Sequence, residues 1–328
     1  MYCKLRPVIF DRKLKERLAE KDRALKQARR QIAEKDQELA RMRASLGERR
    51  ADGIRAENIV WIFGTGRTGS TWLSRMMGEM EGHTVWFEPR VGALFDPYHL
   101  RIESHKGRNF ILSQRYKKTW LGAVRKFVLD GAHARFREVG GPGEYLVIKE
   151  PGGSVGAPLL MEALPESRMI LLVRDPRDVV ASWADAGREG GWQNERSRER
   201  GQPRPVAPVD GRAEKYLQSV GGAKKAYDSH LGYKALVRYE ELRADAFGTM
   251  RRIYSALGIA ADEGELAKAV EKHSWENIPE EEKGEGKFYR RATPGSWRED
   301  LTPEQVKTVE RITAPLLEEL YPDNAING

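Results

Sequence analysis

The residues best suited to chemistry in this chain are three glycines, an arginine and two hydroxyl side chains that come after one apolar run. The run, Ile59 to Phe63, predicts a buried strand, and apolar residues recur at helical spacing from residue 70. Between strand and helix start lie Gly64, Gly66, Arg67, Gly69, Ser70 and Thr71. Glycines allow close approach of the backbone, and free N–H groups at a helix start attract negative charge. The stretch therefore predicts an anion-binding loop.

The identity of the anion depends on the residues directly after the last glycine. Gly64 and Gly69 have the G-x-x-x-x-G spacing of a P-loop, but Ser70 and Thr71 stand where that motif has lysine and then Ser/Thr. Phosphoryl transfer from a Mg-nucleotide relies on such a lysine. A P-loop kinase or nucleotidase stays an alternative function, as does an inactive scaffold that keeps the fold and binds no nucleotide.

The same stretch, GTGRTGSTWL, resembles the 5′-phosphosulfate loop of sulfotransferases that use 3′-phosphoadenosine 5′-phosphosulfate (PAPS). In that family a Lys or Arg occupies the position of Arg67. The resemblance implies that the donor is bound by Gly66, Arg67, Thr68, Gly69, Ser70 and Thr71. An arginine there can neutralise the leaving group but is not a titrating proton donor, since its pKa is expected to stay above ~12.

A second segment, LLVRDPRDVVASW, is similar to the 3′-phosphate loop of the same family. Arg174 ends an apolar run and Ser182 lies eight residues later. A phosphate monoester is well bound by a guanidinium fork and a hydroxyl that converge on it. The resemblance assigns these two residues to the 3′-phosphate of PAPS. The alternative for Arg174 is a surface salt bridge with Asp175 or Asp178.

Three shorter segments agree with the resemblance, which covers about residues 58–320 and is nearest to the tyrosylprotein- and carbohydrate-directed branch. They are KEP from Lys149, VRYEEL around Tyr239, and YRRATPGSWREDLT from Tyr289. In the family, these segments supply charge near the leaving group and contacts to the nucleotide. The implied residues here are Lys149, Tyr239, Arg290, Arg291 and Gly295.

The general base is predicted from position. In several family members a glutamate just past the second strand accepts the proton of the acceptor hydroxyl, and Glu88, in VWFEPRV, occupies the matching place. Pro89 fixes the backbone of Glu88 in an extended form and ends the strand. The alternatives make Glu88 an ion-pair partner of Arg90 or of Arg67, one strand away. Other possible bases are His83, His99, His105 and His133.

The elements that must position these residues read as an α/β domain. Apolar runs at 59–63, 84–87, 144–149, 168–173 and 233–239 alternate with helical patterns, the longest at 110–138. The alternation predicts a P-loop-like, mostly parallel sheet with helices on both faces. Residues 188–211 are polar and rich in glycine and proline, which predicts a mobile surface loop.

Composition narrows the class of protein. One cysteine, Cys3, excludes a disulfide framework, and no apolar run or leader predicts a membrane span or a signal peptide. Sulfotransferases that work in a secretory compartment usually carry a membrane anchor, so the resemblance implies a cytoplasmic enzyme, and one that needs no metal. Of the net charge of +8, residues 11–50 contribute +6, from 14 Lys/Arg and 8 Asp/Glu. The nearly balanced remainder argues against a nucleic-acid-binding body.

The basic segment has its own pattern. Apolar residues recur every seventh position, at Leu18, Leu25, Ile32, Leu39 and Leu46. This d-type series predicts a coiled-coil stalk and a homo-oligomer, most simply a dimer, through residues 11–50. The alternative is a solvated single helix. The predicted organisation is thus a helical stalk at 1–50, a linker at 51–57 and a sulfotransferase-like domain at 58–328.

Overall fold

The computed structural model describes residues 53–95, 111–201 and 206–322, and also residues 20, 21, 27, 28, 31, 34 and 35. Those seven positions are helical and exposed. The five seam residues of the heptad series lie outside the described residues, so the coiled coil stays a prediction. The chain divides into two compact units, Met1–Asp52 and Gly53–Gly328. Among the described residues, no helix is long and apolar enough to cross a membrane.

The second unit is built on a five-stranded parallel sheet. Its strands are β1 (Ile59–Gly64), β2 (His83–Phe87), β3 (Tyr145–Lys149), β4 (Arg168–Val173) and β5 (Lys234–Arg238). They lie in the order β2-β3-β1-β4-β5. The predicted parallel α/β sheet is confirmed. β3 lies between β1 and β2, so one strand separates the loops that carry Arg67 and Glu88.

Eleven α-helices are assigned in the described part of this unit. They are α1 (Ser70–Gly78), α2 (Lys117–Arg135), α3 (Ala157–Ala163), α4 (Pro176–Gly187), α5 (Trp192–Glu199), α6 (Val209–Ser229), α7 (Tyr239–Ala244), α8 (Ala246–Ala256), α9 (Glu263–Lys272), α10 (Trp297–Asp300) and α11 (Pro303–Leu320). A 3-10 helix, Pro151–Gly156, comes after β3. The helix expected at 110–138 is therefore shorter than its apolar pattern.

Helices cover both faces of the sheet, as the sequence predicts. Along β1 successive side chains point to opposite faces. Trp61 packs in a core with residues of α2, α3, α6 and α11, whereas Ile62 packs in a core with residues of α1, α8 and α9. Because β1 is central and fully buried, the loop after it leaves the sheet at a fixed point.

Two helix starts are set by capping residues. Asp175 caps α4, where its carboxylate accepts the N–H of Arg177 and Pro176 takes the first helical position. Thr302 and Gln305 form a reciprocal capping box at the start of α11. Side-chain caps of this kind fix where each helix begins, and here they fix the segment that carries Ser182.

The loop predicted for residues 188–211 is partly wrong, because α5 lies within it and α6 already begins at Val209. The α5 sequence, WQNERSRE, has no apolar stripe. Tertiary contacts hold the helix instead. The backbone N–H of Trp192 donates to the Gly286 carbonyl at 2.8 Å, and the Trp192 ring packs edge-on against the Phe288 ring, with 5.3 Å between the ring centroids.

Candidate active site

A cleft of about 570 Å³ opens at the carboxyl ends of the strands. Loops after β1, β2, β3 and β4, the start of α7 and the segment 288–296 contribute to its wall. Among the described residues that line it, one is a carboxylate, Glu88, and eight are Lys or Arg: Arg67, Arg90, Lys149, Arg174, Lys215, Arg243, Arg290 and Arg291. Such an excess of positive charge favours an anionic ligand.

The loop after β1 is shaped by its glycines. Gly64 has φ +149°, and a Cβ there would lie 2.1 Å from the Leu172 carbonyl oxygen on β4. Gly69 has φ +85°, and a Cβ there would lie 2.7 Å from the Tyr239 ring. Glycine is thus needed at both positions. Inside the loop, the buried Thr68 hydroxyl donates to the Thr65 carbonyl at 2.8 Å, so it holds the loop rather than facing the cleft.

Arg67 lies across this loop in a left-handed conformation, φ +72°. Its Nε donates to Ser182 Oγ at 2.9 Å and its Nη2 to the Phe288 carbonyl at 2.7 Å. Its guanidinium also lies beside the Phe288 ring, 5.1 Å from the centroid. Burial, and then the nearby Arg174, lower the pKa of Arg67 to about 10. This corrects the expected value above ~12, but Arg67 is still charged near neutral pH.

The guanidinium of Arg174 contacts the same loop. Its Nη1 donates to the Arg67 carbonyl at 3.2 Å, and its guanidinium lies 4.4 Å from the centroid of the Tyr239 ring. The Arg174–Asp178 ion pair is long, at 3.7 Å, and buried rather than at the surface. Among the described residues, the buried Nε of Arg174 has no hydrogen-bond acceptor. A ligand anion in the cleft would supply one.

Glu88 and Lys149 form an ion pair at the ends of β2 and β3. The Lys149 side chain is 7% exposed and that of Glu88 is 51% exposed. Neither Arg90 nor Arg67 is the ion-pair partner of Glu88, so those alternatives are wrong. The backbone of Glu88 has φ +45°, which also corrects the extended form expected before Pro89.

A family model described as the sulfotransferase family matches residues 60–263. The chain belongs to the sulfotransferase family. It is 24% identical over 201 residues to cytosolic sulfotransferase 17 of Arabidopsis thaliana, an alignment that covers 50% of this chain and 55% of that protein. The chain thus spans about half the length of that curated relative.

One solved sulfotransferase shows a similar fold. The crystal structure of STF9 from Mycobacterium avium has a TM-score of 0.50 at 15% identity, and the match covers 80% of this chain and 77% of that one. Mouse sulfotransferase SULT7A1, crystallised with PAP, has a TM-score of 0.45 at 13% identity. That match covers 81% of this chain and 87% of the mouse chain. At this identity, the likeness to STF9 shows the fold alone.

Most of the residues that the resemblance assigns to binding of the sulfonate donor PAPS lie together in this sulfotransferase. Gly66, Arg67, Gly69, Ser70, Thr71, Arg174, Ser182, Tyr239, Arg290 and Arg291 line the cleft. Ser182, assigned to the 3′-phosphate with Arg174, accepts a hydrogen bond from Arg67 Nε. The two predicted phosphate loops therefore share one network, and the ligand contacts of each residue stay predictions.

The segment that begins at Tyr289 is held mainly by contacts with carboxylates. Arg290 pairs with Asp300, and Arg291 lies 3.2 Å from Glu285. The predicted contact Gly295 is placed differently: its N–H donates to Asp178 Oδ2 at 2.8 Å, and it does not line the cleft. Gly295 therefore helps to anchor the segment to α4, a role that its glycine-x-tryptophan motif does not reveal.

The histidines proposed as alternative bases are not in the cleft wall where the structure describes them. His83 begins β2, at the opposite end of the strand from Glu88, and burial lowers its pKa. His133 lies on α2. His99 and His105 lie outside the described residues. His273, which the sequence analysis did not single out, does line the cleft.

Proposed function

We propose that this protein transfers a sulfonate group from PAPS to an acceptor hydroxyl and releases adenosine 3′,5′-bisphosphate. Family membership supports the reaction type. The observation that carries the proposal is the pair Arg67–Arg174 at a glycine-rich helix start: Arg174 Nη1 donates to the Arg67 backbone carbonyl, and the buried Nε–H of Arg174 lacks an acceptor among the described residues. Anion binding satisfies that N–H and balances both charges.

The residues of the cleft have separate roles in this reaction. Arg67, Gly69, Ser70 and Thr71 hold the 5′-phosphosulfate, and Arg174 holds the 3′-phosphate. Glu88 takes the proton as the acceptor oxygen attacks sulfur, and the bond from sulfur to the bridging oxygen breaks. The electron pair stays on that oxygen, where Arg67 and Lys149 stabilise its charge. Because Lys149 already pairs with Glu88, the base and the charge stabiliser lie side by side.

The test measures donor binding without an acceptor. PAPS and adenosine 3′,5′-bisphosphate, with no divalent metal, should each raise the melting temperature by mass action on the native state. Arg174→Ala should weaken both shifts while the unliganded protein still folds, since the Arg174 carbonyl keeps its bond from the Tyr216 hydroxyl. Arg311→Gln, an exposed residue of α11, is the control for charge.

Three outcomes separate the functions. Stabilisation by PAPS that depends on Arg174 supports the sulfotransferase. Stabilisation by ATP with Mg²⁺ but not by PAPS favours a kinase or nucleotidase. Stabilisation by none of these nucleotides favours an inactive scaffold and overturns the proposal.

A further inference from the structure

Strained backbone is concentrated in the wall of the cleft. In the described part of the chain, four residues other than glycine have φ in the left-handed region: Arg67 at +72°, Glu88 at +45°, Arg90 at +59° and Ala292 at +53°. All four line the cleft. Such conformations persist where surrounding contacts enforce them and are concentrated at functional sites. Arg67 and Glu88 have proposed roles, whereas Arg90 has none.

The contacts that enforce the Arg90 conformation come from one buried carboxylate. Glu150 is fully buried and accepts the Arg90 N–H at 2.9 Å and the Gly92 N–H at 3.3 Å. Gly92 in turn packs so closely that a Cβ there would lie 2.0 Å from the Gly153 carbonyl oxygen. The turn after β2 is thus clamped to the 3-10 helix after β3, and the Arg90 side chain leaves it from a fixed point.

Most cationic side chains of the cleft already have a partner in the protein: Arg67 and Arg243 donate to protein oxygens, and others pair with carboxylates. Lys149 pairs with Glu88, Arg290 with Asp300, and Arg291 with Glu285 and Glu299. Among the residues that the structure describes, Arg90 forms no ion pair, and its side chain is exposed in the cleft wall. Because Arg90 is two residues from Glu88, it lies on the side where the acceptor hydroxyl must be, not beside Arg174.

We propose that Arg90 binds a negatively charged group of the acceptor, so that the preferred acceptors are hydroxyl compounds that carry a carboxylate, phosphate or sulfate. The inference rests on the proposed function and names its acceptor class. A guanidinium fork binds such groups with two parallel hydrogen bonds. Bound there, the anionic group brings the acceptor hydroxyl towards the carboxylate of Glu88.

The experiment compares acceptors that have the same hydroxyls but differ in charge: 4-hydroxybenzamide with 4-hydroxybenzoate, methyl glucuronamide with methyl glucuronide, and propane-1,2-diol with glycerol 3-phosphate. Transfer of radiolabelled sulfonate from PAPS gives kcat/KM for each. The wild type should prefer the anionic member of at least one pair by roughly 10- to 100-fold, the worth of a hydrogen bond to a charged group. Arg90→Asn should abolish that preference, and Arg90→Lys should keep part of it.

Asparagine is chosen because it tolerates the left-handed backbone and keeps the N–H bonded to Glu150. Arg311→Gln, with a similar loss of charge outside the cleft, should leave the preference unchanged. A wild type that prefers neutral members, or sulfonates no anionic member, overturns the inference, as does a preference that survives in Arg90→Asn. Melting shifts with PAPS in the same samples distinguish the two failures: a shift that remains leaves the proposed function standing, and its absence removes both.

Discussion

The ion pair of Glu88 and Lys149 is unequal in burial, and this asymmetry shapes what each residue can do. Lys149 is almost enclosed, whereas half of the Glu88 side chain is exposed. Removal of the Glu88 charge therefore leaves a nearly buried ammonium without its carboxylate, which costs stability. Stability and turnover must be measured separately to identify Glu88 as the base.

Replacement of Glu88 by glutamine should slow the chemical step. Glutamine keeps the shape of the side chain but cannot accept the proton, so single-turnover transfer at saturating PAPS should fall by ~10²–10⁴. Affinity for PAPS, measured by the melting shift, should barely change because Glu88 is not among the residues proposed to hold the donor. The acceptor in this assay is the one with the highest kcat/KM among the anionic and neutral compounds compared above.

A Glu88→Gln protein that melts earlier but transfers at the parental rate would assign Glu88 a structural role. The base would then be sought at His273, which lines the cleft, before His83, which lies at the wrong end of β2. Along the chain, His83 is the histidine nearest to Glu88. A strand places its first and last residues at opposite edges of the sheet, so nearness in sequence is misleading here.

Residue types in the motifs are enough to predict the loops and charged groups proposed to bind the donor, but not the rest of the cleft wall. Arg67, Arg174, Ser182 and Glu88 are all predicted from motif and spacing, and all line the cleft. From the sequence, Arg90 is only a possible partner of Glu88, and Glu150 only part of a motif. Arg90 is held in a left-handed backbone conformation by the hydrogen bond from its N–H to Glu150. Neither the conformation nor the hydrogen bond can be predicted from the identity of the side chains.

Among the elements, the turn after β2 and the 3-10 helix after β3 are joined through Glu150. Burial, only partly opposed by the bonds from the Arg90 and Gly92 N–H groups, raises the pKa of Glu150 to about 7. The unfolded chain releases this proton near pH 4.5, but the folded chain holds it up to about pH 7. The stability that Glu150 contributes is therefore greatest below pH 4.5 and falls as the pH rises to about 7.

The stability of Glu150→Gln relative to the wild type should consequently increase as the pH rises. Glutamine does not titrate, so the difference in free energy of unfolding between the two proteins should shift in favour of the variant by up to about 3 kcal/mol between pH 4.5 and 7. Above that window the difference should be constant. Denaturant unfolding at several pH values measures it. Parallel curves across the window would mean that Glu150 ionises as it does in the unfolded chain.

Elements whose structure depends on burial are predicted best. β1, β3 and β4 are short apolar runs in the interior of the sheet, and their predicted bounds differ from the structure by no more than a residue. The helix α5 is not predicted because its polar sequence gives no periodicity, and its contacts with Gly286 and Phe288 come from about 90 residues further along the chain. Sheet order is likewise not predicted, since motif order does not determine which strands are neighbours.

For the molecule as a whole, positive charge is concentrated in two places. The chain carries +8, of which residues 11–50 contribute +6, so the remaining residues together carry only +2. The cleft nevertheless gathers eight cationic side chains and one carboxylate among its described lining residues. A local excess in a concave wall attracts an anionic substrate without making the whole surface basic. The basic charge of residues 11–50 is a separate feature.

Those residues should set the oligomeric state and leave donor binding alone. The heptad series predicts a helix with one apolar seam. A second seven-residue series runs beside it, and its members Lys21, Ala28 and Lys35 are helical and exposed in the single chain. Deletion of residues 1–50 should therefore lower the number of chains per particle, which light scattering gives as the measured mass divided by the mass of one chain. The melting shift with adenosine 3′,5′-bisphosphate should stay intact, because every residue proposed to hold the donor lies after residue 58.

A substitution pair tests the seam without removing the segment. Leu25→Asp with Ile32→Asp places two charges in the d series and should lower the mass as the deletion does, since a coiled coil buries those positions. Gln27→Asp with Gln31→Asp adds the same charge at positions outside both series and should leave the mass unchanged. If the deletion and the seam variant both keep the parental number of chains per particle, residues 11–50 form a solvated helix, and any oligomer forms through the second unit.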